Sequence, residues 1–193
     1  RNTHSGLFNM KTLSPSDFKT MPWANGIGST TEIFKQPSLT PDKFLWRVSL
    51  ADVPDSGPFS VFDAYERIIA VASGGGMTLR VAGCDPATLR VGEVAYRFSG
   101  AAATNCELLA GPIRDFNLIF DPDHVRGEVV VLSGTGRRGF ESAPGQTTLV
   151  YVFEGSVEMS GDVLAAGFAG MVEGDVVGVE LRDGLAFVVS VGV

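Results

Sequence analysis

The sequence predicts an all-β protein, an antiparallel sandwich or barrel organised as two jelly-roll-like halves. Three observations lead there. Short segments rich in apolar and β-branched residues recur between Gly, Pro and Asp. Repeated Gly and β-branched residues work against helix at most positions, so no amphipathic helix interrupts them. A strand–Gly–strand unit also occurs twice: Ile69–Leu79 resembles Val150–Met159, and each is followed by a Gly-acid turn, Val91-Gly92-Glu93-Val94 and Glu173-Gly174-Asp175-Val176. Hairpins look alike in many β-proteins, and that plainer reading of the repeat stands beside duplication.

In chain order, the polar stretch Arg1 to Gly6 reads as a truncation or expression scar and is set aside. Ser14 followed by Pro15 predicts one short helix over Ser14–Phe18, with Ser as N-cap and Pro at the first helical position. Strands are expected at Phe44–Ala51, Glu66–Ala72, Met77–Ala82, Glu93–Phe98, Cys106–Ala110 and Asp115–Phe120. The turn-like Asp121–Gly127 then joins the halves, placing the N-terminal domain at 7–121 and the C-terminal domain at 122–193. The second set comprises Glu128–Leu132, Thr147–Phe153, Gly170–Val172, Val176–Leu181 and Leu185–Val191.

Composition narrows the chemistry. The 193 residues carry a net charge of −7 with only 19% charged residues, which is no footprint for nucleic acid. No apolar run reaches the roughly 18 residues needed to span a bilayer. There are two His and two Cys. A catalytic zinc takes about three protein ligands and a structural one about four, whereas His4 and His124 are far apart and have no second His at ligand spacing. No metal and no cofactor are expected. Cys84 and Cys106 lack C-x-x-C spacing and flank strands, so both read as small buried hydrophobes. Free thiols without a secretory leader point to the cytoplasm.

Polar groups set among apolar strands concentrate in the first half, where a small-molecule site would need them. In Phe44–Ala51 the alternation puts Trp46, Val48 and Leu50 on one face and Arg47 and Ser49 on the other. Likewise Asp115 and Asn117 oppose Phe116 and Leu118. Facing a barrel interior, these polar residues would form a pocket; facing water, they would mean nothing, and periodicity does not choose. Arg67 lies after the aromatic run that includes Phe59, Phe62 and Tyr65. Its planar fork suits a carboxylate, and an ion pair with Glu32, Asp63, Glu66 or Asp115 has comparable weight. In the segment Met21–Ile33, Asn25-Gly26 and Gly28 can take φ > 0 and present N–H groups to a ligand; on these residues alone, an ordinary hairpin loop with Trp23 as a core plug is the better explanation. No nucleophilic triad can be assembled. Glu32, Asp115 and Tyr65 are the available general acids or bases.

These motifs together resemble the HutD/Ves family. Trp23-x-Asn25-Gly26-x-Gly28-x-x-Thr31-Glu32-Ile33 is similar to its W-x-N-G-G-G-x-T-x-E-I signature, and Trp46-Arg47-Val48-Ser49-Leu50-Ala51-Asp52-Val53 to its W-R-x-S-L-A-x-V strand. Gly57-Pro58-Phe59-Ser60-x-Phe62 with Glu66-Arg67, then Phe98-x-Gly100, Cys106-x-Leu108 and Asp115-Phe116-Asn117, follow in the family's order. Several ordered motifs over residues 20–120 are more specific than any one alone. The resemblance implies a bicupin and a regulatory or accessory role in bacterial histidine utilisation, with a small acidic metabolite such as urocanate or formylglutamate as ligand. The signature positions include Trp23, Asn25, Gly26, Gly28, Glu32, Trp46, Arg47, Ser49, Phe59, Ser60, Phe62, Arg67, Asp115 and Asn117. The chain departs from the pattern at Ala24, where a basic residue is usual, at Ile27 in the Gly triplet, and at Asp63-Ala64 in place of Pro-Gly. Loss of a basic group would favour a smaller or less charged ligand.

The leading expectation is a metal-free protein that binds a small carboxylate in its N-terminal barrel without chemistry. Its ligand-binding set is Trp23, Asn25, Gly26, Glu32, Arg47, Ser49, Ser60, Phe62, Arg67, Asp115 and Asn117. Arg67 and Arg47 are the anchors, one of them paired with Glu32 or Asp115 because a lone buried cation is costly. Asn25 and Asn117 supply hydrogen bonds, and Trp23 and Phe62 the walls. The rival is a metal-independent isomerase or hydrolase acting on a small carboxylate. A third reading gives the C-terminal half an acidic surface or a sheet edge for a partner or a second copy, as in a homodimer.

Overall fold

A computed structural model describes residues 9–174 and 177–193 of the chain. The expectations for Arg1–Gly6, His4, Asp175 and Val176 fall outside the described residues. The strands are β1 (Lys11–Leu13), β2 (Lys19–Pro22), β3 (Ser29–Pro37), β4 (Phe44–Val53), β5 (Gly57–Pro58), β6 (Glu66–Ser73), β7 (Met77–Val81) and β8 (Ala87–Leu89), then β9 (Tyr96–Ser99), β10 (Thr104–Leu108), β11 (Ile113–Phe120), β12 (Arg126–Phe140), β13 (Thr147–Met159), β14 (Asp162–Ala165), β15 (Ala169–Glu173) and β16 (Val177–Gly192). The expected short helix is a single 3-10 turn, Pro15–Asp17. Ser14 closes it by donating from its amide and its hydroxyl to the Asp17 carboxylate, at 2.7 and 3.0 Å. Among the described residues there is no α-helix, and no helix long and apolar enough to cross a membrane.

Every ladder is antiparallel, and the strands make three sheets. The middle sheet runs β2-β3-β4-β11-β6-β9, a four-stranded sheet β5-β10-β7-β8 lies on one side of it, and β1-β15-β13-β16-β12, with β14 on β13, lies on the other. β1 crosses the chain order: Lys11–Leu13 pairs with Met171–Ala169 in the sheet of later strands.

Strand periodicity explains the layering, because side chains alternate between the two faces of the middle sheet. Trp46, Val48 and Leu50 of β4, Ile68, Ala70 and Ala72 of β6, and Phe116, Leu118 and Phe120 of β11 pack with Leu149, Tyr151, Phe187 and Val189 of the third sheet. Phe116 stacks on Phe187 with ring centroids 4.3 Å apart and planes 5° apart, which joins the two sheets at their centre. The alternate residues Ala51, Val53, Ile69 and Val71 face Met77, Leu79 and Cys106 of the smaller sheet. This second core fills only part of the space between those two sheets; the polar residues of β4, β6 and β11 occupy the rest.

Several expectations change; the strands expected at Val176–Leu181 and Leu185–Val191, for one, are a single strand over the described residues, β16. Strand β3 was not expected, because Ser29–Pro37 is mostly polar and a register shift between Glu32 and Phe34 spoils its alternation. The segment Glu93–Phe98 begins as a turn, with the Glu93 carboxylate accepting from the Arg90 amide at 2.9 Å, and the strand starts at Tyr96. The two copies of the repeat also diverge. Gly74 to Gly76 turns the chain from β6 to β7, whereas Gly155 lies inside one bent strand, β13. There Gly155, at φ 73°, and Gly184 permit a bulge so close that a Cβ on Gly184 would stand 1.9 Å from the Glu154 carbonyl oxygen.

Candidate functional site

The middle sheet and the four-stranded sheet, with the loops beside them, hold a cavity of about 300 Å³. Six segments line it. The turn between β2 and β3 brings Trp23, Ala24 and Asn25; β3 brings Thr30; β4 brings Arg47, Ser49 and Ala51. Pro58 of β5 is followed by Phe59, Ser60 and Phe62 of the next loop, and the remaining wall is Arg67 of β6 with Asp115, Asn117 and Ile119 of β11.

Register accounts for the gathering of the polar groups. Asn117 lies opposite Ser49 on one side and Ile69 on the other, while Ile119 lies between Arg47 and Arg67. Residues opposite one another on adjacent strands share a face, so Arg47, Ser49, Arg67, Asp115 and Asn117 all point to the cavity. The inward choice that periodicity left open is made by the apolar face, which the third sheet covers.

Arg67 is the buried centre of the site, 6% exposed. One terminal nitrogen, Nη2, donates to Asn117 Oδ1 at 2.9 Å, and Nη1 donates to the Ser60 carbonyl at 3.3 Å. The guanidinium carbon lies 5.1 to 5.5 Å from the ring centroids of Phe98, Phe62 and Phe59, within cation–π range. Among the described residues its buried Nε has no hydrogen-bond partner, and neither has the Nε of Arg47. Arg47 lies over Phe44 and Phe62, at 5.3 and 5.4 Å, so both cations share the Phe62 ring. Burial lowers the pKa of both arginines, that of Arg67 to about 10.

Neither arginine makes an ion pair among the described residues, contrary to expectation. Glu66 pairs with Arg97 at 2.9 Å, and Glu32 reaches Lys35 at 3.9 Å. Glu32 lies outside the cavity wall and acts on Arg47 only by its charge. Arg67 meets Asp115 indirectly, because the Asn117 amide accepts from Arg67 through Oδ1 and donates through Nδ2 to Asp115 Oδ1. Asp115 is 1% exposed, and burial pushes its pKa up to about 7 against the opposing pull of Arg67 and the Asn117 hydrogen bond.

The Trp23–Gly28 segment is a tight hairpin loop that also forms a wall. The Trp23 amide donates to the Gly28 carbonyl at 2.8 Å, Gly26 N–H to the Trp23 carbonyl at 2.9 Å, and Ile27 N–H to Asn25 Oδ1 at 3.1 Å. Gly26 takes φ 70° but does not line the cavity, so its role is the turn. Gly28 needs no positive φ; it is small because Trp23 and the Asp52 carbonyl press on it, each 2.6 Å from where a Cβ would stand. Trp23 is anchored by donating Nε1–H to Thr30 Oγ1 at 2.9 Å. Replacing Gly28 by Ala is therefore expected to displace the indole, lowering stability by roughly 1–3 kcal/mol and quenching order at Trp23. Thermal denaturation and tryptophan emission check this, and an unshifted emission maximum would count against it.

Ala24, Thr30, Ala51, Pro58, Phe59 and Ile119 line the cavity but were absent from the expected ligand-binding set. Ile119 continues the Asp115, Asn117 alternation and could have been read from it; Thr30 lies on the strand the sequence hid. Tyr65 is occupied elsewhere, donating to the Phe44 carbonyl at 3.1 Å and stacking on the Phe44 ring. Cys106 is buried, its pKa pushed up to about 12 by that burial, but Cys84 is exposed in the turn after β7, where Gly83 at φ 81° carries the chain outward. His124 is a surface residue bonded to Asp121 at 2.8 Å. Among the described residues no three His, Cys, Asp or Glu side chains gather to hold a metal.

Antiparallel sheets enclosing a cavity at one end of a barrel define a cupin-type all-β protein, and bacterial pirin from Escherichia coli shares this fold at 9% identity, with a TM-score of 0.67 over 94% of this chain and 98% of that one. Within that class the chain belongs to the HutD family, whose model matches residues 15–190. It is 41% identical over 151 residues, 78% of this chain and 77% of the other, to an uncharacterized 21.2 kDa protein in the hutC 3' region of Pseudomonas putida. HutD from Pseudomonas fluorescens SBW25 superposes with a TM-score of 0.82 at 31% identity, over 95% of this chain and 98% of that one. The departures from the family pattern have distinct fates here. Ala24 lines the cavity, Ile27 is exposed, and Ala64 holds φ 66° where the pattern has Gly.

Proposed function

We propose that the protein is an accessory or regulatory component of bacterial histidine utilisation that binds a small acidic metabolite, of the urocanate or formylglutamate type, in the N-terminal barrel. The observation that carries the reading is a buried Arg67 and a half-buried Arg47 whose Nε atoms, both buried, lack partners among the described residues beside a 300 Å³ cavity. A buried unpartnered donor is costly, and a carboxylate would satisfy both its charge and its hydrogen bond. The place of the Pseudomonas putida relative in the hutC 3' region supports the metabolic setting. Arg47 and Arg67 flank Ile119 across three adjacent strands, with their Cα atoms on the order of 10 Å apart, a span that lets each take one end of a dicarboxylate.

At a hundredfold excess over Kd, a ligand of the folded state adds about 2.7 kcal/mol. In a domain of this size that corresponds to a rise in Tm of about 5–10 °C. N-formylglutamate and urocanate are each expected to raise the Tm of the wild type; if neither moves it at millimolar concentration, the reading fails. A second reading, a metal-independent isomerase or hydrolase, draws on Asp115, a cavity carboxylate held near neutrality. Turnover of either acid by catalytic amounts of protein, lost in Asp115→Asn, would favour it.

A further inference from the structure

We infer that Asp115 sets the charge of ligand the cavity accepts: it is an internal carboxylate, wired through Asn117 to Arg67, and it takes up a proton when a ligand carboxylate occupies that guanidinium. The inference rests on the proposed anion-binding role and specifies how the site is regulated.

Charge counting along the cavity wall motivates it. The ionisable side chains lining the cavity are Arg47, Arg67 and Asp115. With Asp115 ionised the wall carries one net positive charge, and with Asp115 neutral it carries two. Asp115 cannot swing away to solvent, since it is 1% exposed and set between Ala51 and Val71 on the adjacent strands. Nor does it hold a direct ion pair among the described residues; the Asn117 amide stands between it and Arg67. A ligand carboxylate at Arg67 therefore adds a second anion to a low-dielectric space already holding one. Two carboxylates in such a space do not both stay ionised without cost, and the group without its own cation is the one that protonates.

The charged and titratable groups around Asp115 agree on the direction. Arg67 of β6 favours ionisation, and Asp52 of β4 opposes it. The Cys106 thiol of β10 is held protonated, in part by Asp115, and adds no charge. Arg47 acts on Arg67 as a like charge. The outcome in the free protein is a carboxyl that titrates at about 7, so an anion bound nearby would move it above the physiological range and draw in a proton. A folded-state pKa above the ordinary aspartate value means that the folded chain holds the extra proton, so this contribution to stability is present below about pH 4 and is lost progressively up to about pH 7.

N-formylglutamate and glutarate are suitable probes, since neither has a group titrating between pH 6 and pH 8. Calorimetric titration of the full chain in buffers of different ionisation enthalpy is expected to show uptake of about half a proton per ligand at pH 7, and an affinity about tenfold weaker at pH 8 than at pH 6. Asp115→Asn is expected to take up no proton and to bind with an affinity flat across that range. Its ligand-free Tm should also lose the fall between pH 5 and pH 7 that Asp115 imposes on the wild type, a readout available even if the substitution weakens binding. Tight binding by the wild type without proton uptake would overturn the inference while leaving the anion site standing. Binding of neither acid at either pH would overturn both.

Discussion

Arg67→Ala is expected to weaken binding of urocanate or N-formylglutamate by about a hundredfold or more, while the chain remains folded. Removing one partner of a buried, hydrogen-bonded charge contact costs about 2–5 kcal/mol in binding. The larger effect is expected at Arg67 rather than Arg47 because its position is over-determined. Asn117 and Ser60 hold its terminal nitrogens, and Phe59, Phe62 and Phe98 surround its plane. The fold should survive because the guanidinium is itself a desolvated cation, whose removal relieves a cost as well as leaving space. Arg67→Lys should recover little, since an ammonium offers no planar fork to bridge Asn117, Ser60 and a ligand at once. Calorimetry on the two variants, with a melting curve for each, separates loss of binding from loss of fold. Near wild-type affinity in a well-folded Arg67→Ala would move the anchor to Arg47.

The largest stability effect is expected from Phe187→Ala, at about 3–5 kcal/mol, or roughly a 10 °C or larger fall in Tm for a domain of this size. Phe187 is fully buried and stacks face to face on Phe116, which in turn lies 6.2 Å from Tyr151. These rings join the middle sheet to the third sheet at the centre of the larger core. The effect should reach the cavity, because Phe116 lies between Asp115 and Asn117 on β11 and fixes the height at which both present their polar groups. Thermal denaturation gives the size of the loss; a drop smaller than about 1 kcal/mol would mean that the sheets repack across the gap.

Much of this arrangement could be read in the chain before any packing was known. The pairing of Arg47 with Ser49 and of Asp115 with Asn117 on common faces follows from a period of two, and that period is local. The same rule placed Trp46, Val48 and Leu50 together, and the apolar core contains all three. Other features were hidden for equally local reasons. Strand β3 is polar and broken by a register shift, so its Thr30 went unnoticed. The bend in β13 at Glu154 to Ser156 looks like a turn in sequence, yet cross-strand bonds to β16 continue past it. Glu32 and Gly26 belong to the signature but not to the cavity wall. One side chain points beside Lys35, and the other residue has no side chain to offer, only a turn to make.

What the sequence by itself determined was therefore the set of faces: an antiparallel β-protein with arginines, a carboxylate and an asparagine riding on strands whose other side is apolar. Which face lies inward was decided only by the tertiary structure. A strand has two faces, and alternation is the same whichever is buried. Here the apolar face of the middle sheet is taken by the third sheet, and the polar face is left with a barrel end that the smaller sheet's core does not fill. The same packing turned a sequence that could have formed surface ion pairs into a site where Arg67 reaches Asp115 only through Asn117. Burial raised the cost of every charge left there.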